Sequence, residues 1–312
     1  MITLINRRLF VVVILLVPLA VFSFFNKEEE TVPKKDANSP EVQKINIRLK
    51  LTNTGEIIEI PLEEYLIGVV AAEMPALFHE EALKSQAIAS RSYVLSRVNE
   101  TNEYDVVDTV ASQVFISEEQ MREKWKQDFN IYYEKIKNSV EATENMVLVY
   151  DEQIITAYFF AMSNGYTEYV ELVFSEPRNY LKSVESSWDN ETLRNFNVEV
   201  KIPKTEFCKK LEINCTSLKV EKPVRSKTNR VNEITVNNTV FKGTDFRRKL
   251  GLRSTDFDIE IKDSVYITTR GYGHGVGMSQ WGANGMAKEG KNYQEILKHY
   301  YQNVAIKNLK DV

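Results

Sequence analysis

Between Tyr65 and Glu73 the chain runs through seven residues without a charge, Leu66-Ile-Gly-Val-Val-Ala-Ala72. Read as a helix over 61–74, this segment puts Leu62, Leu66, Val69 and Glu73 on one face, at the i, i+4, i+7, i+11 spacing. A helix that is apolar nearly all round is normally buried. Whatever this chain folds into must therefore wrap the segment, with a carboxyl at its end. Pro61 suits the first helical position, Glu63 and Glu64 suit the first turn, and Pro75 stops the helix by pushing Met74 out of the α region. Glu73 then lies in the last turn, where the negative end of the helix dipole meets a second negative charge. Desolvation and dipole both favour the protonated acid. Such a group suits general-acid cleavage of a glycosidic bond, and equally suits structural pairing with an arginine or with backbone donors. From the helix alone both readings stand.

The N-terminal region is of a different kind. Residues 9–25 form an apolar run interrupted by Pro18 and Ser23 and preceded by Arg7 and Arg8. As a helix it spans about 25 Å, slightly short of a hydrocarbon core about 30 Å thick; snorkelling of Arg8 and Lys27 makes up the difference. A cleaved signal peptide is the alternative, but the run is long for one and no Ala-x-Ala-like site follows. The expected organisation is a cytoplasmic tail at 1–8, an uncleaved single transmembrane anchor at 9–25, a charged flexible spacer at 26–44 and an extracytoplasmic domain over 45–312. That last region suffices for one large domain or two small lobes. With a net charge of −4 the chain offers no basic face for nucleic acid. Cys208 and Cys215 are the only two cysteines. Outside the cell they can form a local disulfide, although sequence leaves open whether their Cα atoms approach. The three histidines, His79, His274 and His299, are not at ligand spacing to them, so no metal is expected.

Within 45–312 the residues alternate with period two at 45–51, turn at Asn53-Thr-Gly55 and resume at 57–60, which predicts a hairpin leading into the Glu73 helix. A second helix is expected at 80–98, with Leu83, Ala87, Ser90 and Val94 on one face, and a surface helix at 129–145. Strands are expected at 146–150 and 154–160 around Asp151-Glu-Gln153, at 230–236 and 239–242 around Asn237-Asn238, and at 257–261 and 265–268. These elements do not alternate as βαβ units, so the fold class is α+β, with antiparallel sheets and a few helices.

Seven of the twelve glycines lie between Gly271 and Gly290, a density that implies positive-φ backbone or close approach to something. The spacing is neither a dinucleotide fingerprint, since Met278 stands where the third glycine belongs, nor a P-loop. Ser279 is no nucleophile elbow, because Trp281 replaces the required glycine. His274, Gln280 and Trp281 can form a sugar-contacting surface, or a tight turn with Trp281 in the core. The segment Ala161-Met-Ser-Asn-Gly-Tyr-Thr-Glu168 places Ser163 and Asn164 at a turn that presents a hydroxyl and an amide to a ligand, or is ordinary turn chemistry.

Together these blocks, 61–75, 81–93, 163–168 and 271–287, with 246–254 beside them, resemble the stage II sporulation protein D family of membrane-tethered lytic transglycosylases of endospore-forming bacteria. The resemblance runs from about residue 45 to the C-terminus and includes the N-terminal anchor. It implies two lobes flanking a glycan groove and a peptidoglycan substrate, cut between N-acetylmuramic acid and N-acetylglucosamine on strands stripped of peptide. Glu73 would be the single acid/base, giving 1,6-anhydro ends. Ser163, Asn164, Tyr166, His274, Ser279, Gln280 and Trp281 would contact substrate. Gln86 and Arg91 would orient the carboxyl or, the preferred reading, brace the lobes. Implied partners are a peptidoglycan amidase and a polytopic membrane protein of the engulfment machinery, with the domain lying between the mother-cell and forespore membranes. Some members hold zinc beside the site with a cysteine and a histidine; the corresponding stretch here, Val110-Ala-Ser-Gln-Val-Phe115, has neither, so no zinc and no cofactor is expected. A non-catalytic wall-binding activator of an amidase is the alternative.

Overall fold

The computed structural model describes residues 45–190 and 192–312; the expected tail, anchor and spacer lie outside the described residues. Among the described residues no helix is long and apolar enough to cross a membrane. The hairpin forms as its alternation dictates. Strand β1 (Asn46–Lys50) turns Ile47 and Leu49 into the core and pairs antiparallel with β2 (Ile57–Pro61), Asn46 facing Pro61. Because Pro61 is still held in that sheet with ψ at 138°, it caps helix α1 (Leu62–Glu73) instead of opening it. The helix buries Leu62, Tyr65, Leu66, Gly68, Val69, Val70 and Ala71, and each large aliphatic side chain so placed contributes about 1.5–3 kcal/mol.

Helix α2 (Glu80–Leu95) buries its predicted face, but ends before 98, where Ser96 turns its hydroxyl back to the Tyr93 carbonyl at 2.8 Å. A short β3 (Val106–Val107) joins β1 in parallel. Helix α3 (Glu118–Trp125) opens on a capping box between Ser117 and Gln120. Helix α4 (Phe129–Glu141) is shorter than the expected 129–145 and is not purely a surface helix: it buries Phe129, Ile136, Ser139 and Val140 and packs against α1 and α2. Strands β4 (Met146–Tyr150) and β5 (Gln153–Ile154) close a hairpin over Asp151 and Glu152, both at positive φ. The strand expected at 154–160 is therefore two pieces. Its end, β6 (Phe159–Phe160), leaves this sheet to meet a partner from the far end of the chain.

A second core follows. Strand β7 (Asn197–Ile202), helix α5 (Lys204–Leu211), strands β8 (Val224–Arg225), β9 (Val231–Val236) and β10 (Thr239–Lys242), helix α6 (Gly243–Leu250), and strands β11 (Phe257–Ile261) and β12 (Val265–Arg270) make two three-stranded antiparallel sheets, ordered β10-β9-β8 and β11-β12-β7. Asn237 and Asn238, at φ 48° and 66°, form the two-residue turn expected between β9 and β10. Phe207, Phe246, Phe257, Ile234 and Val265 fill this lobe. Cys208 and Cys215 are joined as a disulfide, their Cα atoms 5.6 Å apart.

The chain then returns to the first lobe. Strand β13 (Met278–Ser279) pairs in parallel with β6, helices α7 (Gln280–Lys288) and α8 (Tyr293–Tyr300) follow, and β14 (Ala305–Asn308) lies antiparallel to β4. The second lobe is thus an insertion between β6 and β13. The α+β class holds, and among the described residues the strand pairs are antiparallel except β1–β3 and β6–β13. The seam between lobes is polar: Asn164 Nδ2 donates to the Thr228 carbonyl and to Asp256, and Arg230 Nη1 donates to the Tyr166 carbonyl.

Candidate active site

Two separated stretches reach the carboxyl at the end of α1, and a third backs one of them. Val114 N–H donates to Glu73 Oε1 at 2.9 Å, and Gln280 Nε2 donates to Glu73 Oε2 at 3.3 Å. The same Gln280 amide donates to Gln86 Oε1 at 3.3 Å, and Gln86 Nε2 donates onward to Ser90 Oγ at 2.9 Å. Gln86 and Ser90 are fully buried, so α2 supplies a wall behind the Gln280 amide. Burial is the main influence on Glu73 and raises its pKa; the Val114 and Gln280 donors pull it back, and no neighbouring charge enters. The dipole expected at this helix end is met by Lys124 Nζ, which donates to the Ala71 carbonyl at 2.9 Å. Burial, not the dipole, is therefore what raises this pKa.

The Val114 donor is in place because the 108–116 loop lies across α1. Ile116 N–H reaches the Gly68 carbonyl at 3.4 Å, Phe115 stacks on Tyr65 at 5.8 Å, and the Tyr65 hydroxyl donates to Gln113 Oε1 at 3.0 Å. A Cβ on Gly68 would stand 2.2 Å from the Phe115 ring and 2.8 Å from the Ile116 carbonyl oxygen. Gly68→Ala gains about 1 kcal/mol of helix propensity elsewhere; here the expected net result is a loss of about 1–3 kcal/mol from overpacking. Thermal unfolding reads the loss, and faster hydrogen exchange at the Val114 amide reads the lifted loop. A more stable protein with an unchanged Val114 amide would contradict this.

Comparison with known proteins bears directly on this arrangement. The profile described as Stage II sporulation protein (SpoIID) matches residues 50–150, which carry Glu73, Gln86 and Val114. Stage II sporulation protein D of Bacillus subtilis (strain 168) is 39% identical over 281 residues, covering 87% of this chain and 82% of that protein. The chain belongs to the stage II sporulation protein D family. A second relative of that name, from Bacillus amyloliquefaciens, is 38% identical over 90% of this chain and 85% of its own length. More distantly, the Amidase enhancer of Bacillus subtilis is 29% identical over 76% of this chain but only 39% of that protein. The stage II sporulation protein D relatives support a role in sporulation.

The structure distributes the predicted site residues of this family member over several environments. Gln280 joins Glu73 directly, and Gln86 is linked to it only through the Gln280 amide. Arg91 does not: fully buried, it pairs with Glu63 through Nε at 2.9 Å and Nη2 at 2.5 Å, and donates to the Met146 carbonyl at 3.1 Å, so it braces α1 against α2 and β4. Ser279 caps α7 by accepting from Gly282 N–H at 3.2 Å, which aims Gln280 in the first turn. Ser163 is fully buried and, with Ser279 and Ser186, surrounds Asp189; burial pushes that carboxyl's pKa up while the hydroxyls pull it down. Asn164 is engaged at the lobe seam. Tyr166 is half exposed, and Trp281 meets Phe78 edge-on at 4.9 Å.

His274 sits among Tyr158, Phe160 and Phe174, with ring centroids 6.1, 5.7 and 5.3 Å away. Its Nδ1 accepts from Val276 N–H at 3.1 Å. Burial, followed by the charge of Arg247, pushes its pKa down to about 3, so it is a neutral ring at ordinary pH. The four alternate glycines 271, 273, 275 and 277 all take positive φ, as the glycine density implies. Asp189 and the Val114 N–H are the site features that sequence reasoning missed. A backbone donor leaves no signature in residue type, although a glycine inside a buried helix does mark a close approach.

Proposed function

We propose that this protein is a lytic transglycosylase that cuts the β-1,4 bond between N-acetylmuramic acid and N-acetylglucosamine in peptide-free glycan strands, with Glu73 as its single acid/base. The observation that carries the reading is a buried carboxyl with a raised pKa, held by two donors and, among the described residues, in no ion pair. Protonated Glu73 gives its proton to the leaving glycosidic oxygen as the C1–O bond breaks. The donors from Val114 and Gln280 then stabilise the carboxylate so formed. The C6 hydroxyl of the muramic acid attacks C1, Glu73 takes back the hydroxyl proton, and the 1,6-anhydro ring closes. An ordinary glycosidase needs a second carboxylate to activate water or attack the sugar; this chemistry does not. Incubating the protein with denuded strands and separating the products tests the reading. Anhydro-terminated fragments support it, while reducing ends would make the enzyme a hydrolase.

Because the acid form does the work, activity falls as pH rises through the folded pKa of Glu73. Gln280→Leu removes a donor that favours the carboxylate. The alkaline limb of the pH–rate profile is therefore expected to move upward, and the maximal rate to drop by about 10- to 100-fold, the value of a hydrogen bond to a charged group. An unmoved limb would show that Gln280 does not act on Glu73. The proposed setting is the outer face of a membrane, reached through the anchor at 9–25, in company with an amidase and a polytopic membrane protein of engulfment. Co-purification of the full-length protein from sporulating cells tests that company. A second reading, an activator that binds wall without cutting it, draws on the similarity to the Amidase enhancer. It gains if a Glu73→Gln protein supports full biological function.

A further inference from the structure

Three arginines of the second lobe gather against the Gly271–Gly275 stretch without a carboxylate in direct contact, although Arg230 Nη1 donates to the Tyr166 carbonyl and the Thr228 hydroxyl. Arg230 is only 2% exposed, its Nε has no hydrogen-bond partner, and its guanidinium faces Gly275: a Cβ there would stand 2.8, 2.9 and 3.0 Å from Nε, Cζ and Nη2. Arg253 holds its guanidinium carbon 4.2 Å over the Tyr272 ring, and its Nε is likewise buried without a partner. Arg247, half-buried on α6, spends its Nε on the Leu252 carbonyl at 3.1 Å, and both Tyr272 and His274 lie within its electrostatic reach.

Among the described residues none of the three forms an ion pair, whereas Arg225 and Arg270 share Asp256 and Asp258. Glu168, the strongest negative influence on Arg230, is engaged elsewhere: it accepts from the hydroxyls of Ser226 and Thr228 at 2.6 Å each and from Tyr169 N–H at 2.9 Å. Buried or half-buried guanidinium groups are normally paired. Beside a half-exposed tyrosine, the unpaired set has the make-up of a site for a carboxylate carried on a sugar-sized body.

We propose that Arg247 and Arg253, with Arg230 behind Gly275, bind the lactyl carboxylate of a muramic acid residue whose peptide has been removed. This rests on the glycan reading given above and deepens it. A muramic acid still bearing peptide has that carboxylate tied up as an amide, neutral and bulky, and offers the arginines nothing to pair with. The cluster thus reads the prior removal of peptide. The catalytic carboxyl and this subsite lie on one run of aromatic contacts, since Tyr93, which feels the charge of Glu73, meets Tyr158, and Tyr158 meets His274.

The test measures binding with full-length protein in detergent carrying Glu73→Gln, so that the result does not depend on whether Glu73 cleaves. The probes are peptide-free muramyl glycan strands, the same strands with their carboxyls converted to methylamides, and a chitin oligosaccharide of equal length. With the arginines intact, the carboxylate strands are expected to bind about 10- to 100-fold tighter than the methylamides. Arg247→Gln and Arg253→Gln should each shrink that preference, and the double variant should erase it, while affinity for the methylamide strands stays the same. Arg253→Lys should retain part of it. Equal binding of carboxylate and methylamide strands by the protein with its arginines overturns the proposal without any variant. A preference that survives the double variant overturns it too, as does equal loss of affinity for all three probes, which would mark the arginines as structural. Failure to release anhydro sugars would remove the lytic reading while leaving this measurement intact.

Discussion

Glu73→Gln is expected to lower glycan cleavage by about 10²–10⁴-fold, the usual worth of a general acid/base, and yet to give a protein that unfolds at higher temperature in alkaline buffer. The two results have one cause. Burial raises the folded pKa of Glu73 above its unfolded value. Below the unfolded pKa both states are neutral there, and the variant and the parent should unfold alike. As pH rises the unfolded carboxyl ionises first, so the parent's native state binds more protons than its unfolded state. Its stability then falls by up to about 1.4 kcal/mol per pH unit until the folded pKa is passed. The amide cannot ionise and escapes this loss. Product release from denuded strands and thermal unfolding at a series of pH values check both parts. A variant that cuts normally, or whose stability tracks the parent at every pH, would place the working acid elsewhere.

The second large effect belongs to the brace. Glu63→Ala leaves the guanidinium of Arg91, which is 0% exposed, without its carboxylate. Stranding a buried charge costs about 3–5 kcal/mol, which for a domain of this size lowers the melting temperature by roughly 10 °C. Because Arg91 touches Glu63, Met146 and Val140 and not Glu73, the molecules that remain folded should cut glycan at the parent's rate. The double change Glu63→Leu with Arg91→Met should recover most of the lost stability, since it removes both charges and keeps apolar volume. If activity per folded molecule collapsed in the single variant, Arg91 would be orienting the acid after all.

What could be read from the chain followed the strength of its local signals. The Glu73 helix was legible because an uncharged run ending at a proline leaves few alternatives, and the Asn237-Asn238 turn because positive φ favours asparagine. Helix α3 was not, since it buries only Met121 and so carries almost no apolar stripe. The 154–160 segment read as one strand because alternation says nothing about which partner a strand chooses, and here Phe159 and Phe160 pair with Met278 and Ser279. The dipole at the end of α1 could be inferred, but not that Lys124 would answer it from a neighbouring helix. Arg230, Arg247 and Arg253 are ordinary members of a set of 40 basic residues until the inserted lobe folds them onto one turn.

That insertion has a consequence for when the arrangement around Glu73 is completed. The partners Glu73 and Gln280 are 207 positions apart, and the whole second lobe is synthesised between them. Closing so long a loop is entropically slow, and contacts of high sequence separation tend to form late in folding. Until α7 docks, the carboxyl at the end of α1 lacks its Gln280 donor. The arrangement around Glu73 is therefore complete only once that long-range contact has formed.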